Sequence, residues 1–221
     1  MNQPAKLRLG TVALALSALL ILGGLLLRGP LITDISDAQA FAESVASPNN
    51  LIAETFLPLS LIIQVFGFLG MYAYLDQPGT QKASFWGMVF SILGNGLFLP
   101  FAGVFAFAMP IVGKLYLEGN MDSVKVAELT LGPGIGFAYL IASAFSLTIG
   151  AILFAVSMWK TRSIPRWLPV IYVAQAFGLS FGASIGYAFE MTGGILLLVF
   201  SLVFGLKMWA RTPSPAGRGQ G

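Results

Sequence analysis

Six long apolar stretches dominate this chain, and its charges and tryptophans are sorted around their ends. A helix of about 20 apolar residues crosses the hydrocarbon of a bilayer. The stretches cover residues 9–27, 51–75, 85–108, 134–159, 167–188 and 193–209. They are continuously apolar and do not alternate, which points to helices and not to a membrane barrel. The last two total about 43 residues including the short break at Phe189–Thr192, twice what a membrane accommodates, so a tight re-entry near Glu190 is expected. The expected fold class is all-α, a six-helix transmembrane bundle in one domain, followed by a disordered tail over 212–221.

Orientation follows from the basic residues. Lys6, Arg8, Lys82, Lys160, Arg162, Arg166, Lys207, Arg211 and Arg218 fall on the side that holds both termini, leaving Arg28, Lys114 and Lys125 opposite. The positive-inside bias therefore predicts cytoplasmic termini. Every acidic residue except Asp76 lies on or near the other side. Trp86, Trp159, Trp167 and Trp209 all land at predicted cytoplasmic helix ends, where amphipathic indoles favour the interface. The basic face reads as attraction to anionic lipid, not nucleic-acid binding. Ala38-Gln39-Ala40 imitates a signal-cleavage site but lies some ten residues beyond the first apolar run, so that run is read as a retained span.

The chain has no cysteine and no histidine. Thiolate chemistry, bis-histidine haem and histidine proton relays are thereby absent from it. Methionine and carboxylates alone are a poor set for a catalytic metal, so no metal, cofactor or catalytic residue is expected.

Two loops invite short helices. Ser36-Asp37-Ala38-Gln39 carries a capping-box pattern for a helix ending near Ala46, and Val124, Val126 and Leu129 mark a second within Lys114–Thr130. Pro100, with Asn95 and Gly96 before it, predicts a kink in the third span because it frees the Gly96 carbonyl.

Small residues at four-residue spacing predict close helix contacts. Gly178, Gly182 and Gly186 form such a stripe on the fifth span, and Ala138, Ala142, Ser146 and Gly150 form one on the fourth. The two are expected to pack face to face as a hairpin; a homo-oligomer seam or a pore lining is the alternative. Polar residues at depth are the only ligand-path candidates: Gln64, Asn95 and Gln175 near mid-membrane, and Glu54 near the outer end of the second span. The first three also suit interhelical hydrogen bonding, and Glu54 suits an interfacial carboxylate reaching water. Leu57-Pro58 and Gln64, then Leu168-Pro169 and Gln175, recur at one spacing. An inverted repeat of three helices would produce that echo and pair the two glutamines.

Leu131-Gly132-Pro133-Gly134 and Ile164-Pro165-Arg166-Trp167-Leu168 resemble bacterial six-span membrane proteins catalogued only as a domain of unknown function. The likeness covers most of the chain and is strongest from Leu131 to Arg211. It implies a six-helix fold in a bacterial plasma membrane and nothing catalytic. Three functions stay open. A non-enzymatic accessory or packing protein, the leading one, requires an interior without a continuous polar cavity. A transporter or channel for a neutral or lipophilic solute requires a cavity reaching Gln64 and Gln175. A lipid-modifying enzyme requires Glu54, Glu118, Glu128 and Glu190 to converge. The lipid bilayer is the one partner the sequence establishes; the ligand is not identified.

Overall fold

The computed structural model describes residues 3–30, 32, 36–132 and 134–212. The expected disordered tail, apart from Thr212, lies outside them. The described residues form α1 (Gln3–Arg28), α2 (Ala38–Ala46), α3 (Pro48–Leu75), α4 (Gln81–Gly103), a π-helical turn (Val104–Ala108), α5 (Met109–Leu117), α6 (Ser123–Leu131), α7 (Ile135–Lys160), α8 (Trp167–Ile185) and α9 (Tyr187–Ala210). Six segments are long and apolar enough to cross a membrane: α1, α3, the continuous α4–α5 unit, α7, α8 and α9. The chain is an all-α six-span bundle.

Capping residues explain why the spans outrun the apolar stretches. Ser47 accepts a hydrogen bond from the Asn50 amide at 3.2 Å and Pro48 opens the first turn, so α3 begins before Leu51. Asp37 caps α2 by accepting from the Ala40 amide at 3.1 Å. The α8–α9 turn sits at Gly186, not near Glu190. Gly186 has φ of 145°, a conformation side chains rarely adopt, and it reverses the chain within one residue. Glu190 consequently lies in the first turn of α9.

The third span differs most from expectation. Its helix passes through Pro100 and the irregularity falls later, where the Met109 amide bonds the Val104 carbonyl five residues back. Pro110 offers no amide to the Ala106 carbonyl, which favours a wider turn at this point. The whole unit covers 37 residues, about 55 Å, well beyond a hydrocarbon core of about 30 Å. Its far end, α5, packs against α2 and α6 around Phe41, Val45, Phe105, Met109, Val112 and Ala127. In α6 the buried apolar residues are Val124 and Ala127, whereas Val126 and Leu129 are exposed.

The six spans stand in a ring in chain order, each beside its sequence neighbours, with α9 closing against α1. Three pairs are tight, and glycine is the reason. A Cβ on Gly70 would lie 2.5 Å from the Gly10 Cα, joining α1 to α3 almost backbone to backbone. Gly150 meets the Ser91 amide between α7 and α4, and Gly178 meets Gly193 between α8 and α9. The expected α7–α8 glycine hairpin is therefore corrected: the fifth-span stripe packs on α9 and the fourth-span stripe on α4. Ala138 and Ala142 are exposed and belong to neither contact, while Ser146 is buried.

The face bearing both described ends is closed. Leu14, Phe68, Met71, Leu75, Phe154, Leu168, Tyr172, Phe200, Phe204 and Met208 form its buried core. The rings of Phe68, Phe154, Tyr172 and Phe200 follow one another at centroid spacings of 6.3, 6.2 and 4.3 Å. Arg211 fastens this face, lying 4.0 Å over the Tyr74 ring and donating to the Ser163 hydroxyl at 3.2 Å. The four tryptophans sit at helix ends that alternation of the spans brings to this same face, and all are exposed.

Candidate functional site

Above that aromatic floor the ring encloses a cavity of about 600 Å³. All six spans contribute to its wall. Along α3 the lining runs from Ala53 to Phe68, an axial length of about 22 Å. Most of the wall is Leu, Phe and Ala, with polar groups at two levels. On the α7 side the wall is thin. Residues 134–139, on every side of the first turns of α7, are exposed, as are Ala183 and Ser184 of α8. Phe137, Ala183 and Ser184 line the cavity, which opens here between the two helices.

The outer level is an ion cluster. Arg28, the last residue of α1, donates from Nη2 to Glu190 Oε2 at 2.6 Å and from Nη1 to Glu54 Oε1 at 3.4 Å. The Arg28 and Glu54 side chains are only 9% and 2% exposed. Helix ends favour this placement: the C-terminus of α1 suits a cation and the N-terminus of α9 suits an anion. Gly182 admits Glu190, whose Cα would lie 2.7 Å from an added Cβ. Arg28 Nε is buried without an acceptor. Glu128 of α6 lines the same mouth. The reading of Glu54 as a water-exposed carboxylate is thus corrected: α3 starts early enough to turn it inward onto Arg28.

The inner level is an amide pair. Asn95 Nδ2 donates to the Leu61 carbonyl and to Gln64 Oε1, both at 3.0 Å. Both partners accept, so the amide orientation is fixed by chemistry and its Oδ1 is left buried without a donor. Across the ring Gln175 of α8 lines the cavity, 5% exposed, with no hydrogen bond to another described residue. Ser143 joins the wall and donates to the Gly94 carbonyl at 2.8 Å.

Of the residues singled out from sequence, Gln64, Asn95, Gln175 and Glu54 all face this one space. Gln64 and Gln175 come from spans two and five, opposite in the ring, which is the placement an exchange of the two halves demands. The connections do not follow that exchange, since α8 and α9 meet at one glycine while five residues join α3 to α4. Three of the four outer glutamates line the cavity, whereas Glu118 caps α5 and is exposed. Sequence reasoning missed Arg28 as a site residue. Its signal was a cation placed directly at the end of an apolar run, on the side where acidic residues predominate. Among the described residues, no three His, Cys, Asp or Glu side chains group as a metal site.

The family described as Domain of unknown function (DUF4386) matches residues 9–210, and the chain belongs to it. No curated protein and no solved structure matches the chain.

Proposed function

We propose that this protein is a non-enzymatic membrane protein that binds a lipophilic solute and moves it through the cavity at the centre of its helix ring. The observation that carries the reading is the polar-studded cavity itself. An accessory bundle has no need of an interior cavity of about 600 Å³, a size in the range that holds small-molecule ligands. Hydrogen-bond glue between helices would be mutually satisfied, yet Asn95 Oδ1 lacks a donor and Gln175 bonds no other described residue. A catalytic role for the glutamates is less supported, because Arg28 already engages the two deepest.

Lys and Arg enrichment favours cytoplasmic placement of the terminal face, in a bacterial plasma membrane. The cavity then opens outward and, through the α7–α8 gap, toward lipid. A solute that partitions into the bilayer reaches the site sideways, and the aromatic floor bars it from the cytoplasm in this conformation. Passage requires the floor rings to part.

The native absence of cysteine permits a clean test. In membranes, single substitutions Gln175→Cys and Asn95→Cys are expected to react with a small maleimide, and adding Ala144→Trp to fill the cavity should slow both at least tenfold. Ser201→Cys, buried away from the lining, serves as the unreactive reference. Equal sluggishness at all three positions would contradict the reading.

A further inference from the structure

Charge at the cavity mouth is unbalanced. One guanidinium faces two buried carboxylates, Glu54 and Glu190, while Glu128 at the rim is exposed and lies near Lys125. A surplus carboxylate in a low-dielectric site is costly unless it gains a proton or a cation. The unpartnered Asn95 Oδ1 asks for a donor as well. We infer that the solute is a lipophilic organic cation bearing N–H donors, its charge seated beside Glu54 and Glu190 in exchange for a proton. This rests on the cavity being a binding site and adds its ligand class.

An anionic head group fits poorly. Arg28 Nε lacks an acceptor, but an anion reaching it would lie against both Glu54 and Glu190, which already hold the rest of the guanidinium. A bare metal ion would have to give up its water shell for two carboxylates already engaged by Arg28, in an otherwise mostly apolar wall. An alkylammonium instead donates to the carboxylates while its chain replaces contacts with the same apolar wall. When the ammonium leaves, one carboxylate takes a proton from water, so the site alternates between the two cations and its net charge stays the same. The charged groups facing the exchange are Arg28 from α1, Glu54 from α3 and Glu190 from α9, with Glu128 and Lys125 of α6 exposed at the rim. Asp37 and Glu43, flanking and within α2, are exposed and lie outside the lining. Tyr187 is engaged with the Leu25 carbonyl at 2.9 Å.

Three probes with one chain length separate the possibilities: octylammonium, octanol and octanoate. The full-length Gln175→Cys protein is labelled with maleimide in lipid nanodiscs, and each rate is divided by the probe-free rate at the same pH. Octylammonium is expected to slow labelling at least tenfold at pH 8, octanol by less, and octanoate not at all. Each unit of acidification through the range where the proton competes should weaken octylammonium by up to tenfold. Glu190→Gln or Glu54→Gln should abolish its advantage over octanol; if either variant is not monodisperse, the pH series on the parent decides. Protection by octanoate equal to that by octylammonium, protection independent of pH and of both carboxylates, or protection by no probe would overturn the ligand class. A Gln175→Cys that never labels would instead overturn the cavity reading on which it rests.

Discussion

The two halves of this helix ring share the same six spans and differ in what fills them. Toward the termini, Phe68, Phe154, Tyr172 and Phe200 meet ring to ring and glycine draws α1 onto α3. Toward the loops, Ala144, Ala176, Ser143 and Ser180 face the axis, and space remains. Side-chain size and close helix approach together decide where the bundle is solid. The contrast extends to charge. Arg28–Glu190 and Lys125–Asp122 both close at 2.6 Å, but the first pair is about nine-tenths buried and the second stands 70% and 80% exposed.

Perturbing each half should yield graded outcomes. Arg28→Leu strands two carboxylates in the mouth and is expected to cost about 3–5 kcal/mol, seen as a large fall in thermal unfolding midpoint in detergent. Gly70→Leu forces a side chain into the Gly10 backbone and should cost about 1–3 kcal/mol or prevent assembly. Asn95→Leu removes two interhelical hydrogen bonds, a loss of about 0.6–2 kcal/mol by the same measurement. Ala144→Leu adds the same kind of bulk in the cavity half and should change stability by less than about 1 kcal/mol, since it enters open space. A loss as large as that of Gly70→Leu would erase the distinction between the halves. Asp122→Asn, at the exposed pair, should leave the unfolding midpoint unchanged.

Much of this was legible in the residues, for physical reasons. Apolar length and the sorting of charge report each span independently of its neighbours, so six crossings could be read one at a time. Gln64, Asn95 and Gln175 stood out because a polar group in hydrocarbon needs a reason to be there. What escaped depends on relations between helices. The glycine stripes announce close approach but not to which partner, and Gly178 found Gly193 instead of the fourth span. Gly186 resembled the other two glycines of its stripe, yet only its backbone conformation made it a turn. Arg28 and Glu190 are separated by most of the chain, and nothing local marks them as partners. The π turn at Val104–Ala108 likewise arises from a missing amide at Pro110 and the packing of Phe105 together.

Closure below and opening above is the central claim, and sided labelling of Gln175→Cys tests it most directly. A membrane-impermeant maleimide supplied to sealed vesicles of defined orientation should modify this cysteine from the loop face and leave it untouched from the terminal face. Modification from both faces at similar rates would mean a through-going channel, and modification from neither would mean a packed interior; either result contradicts the account.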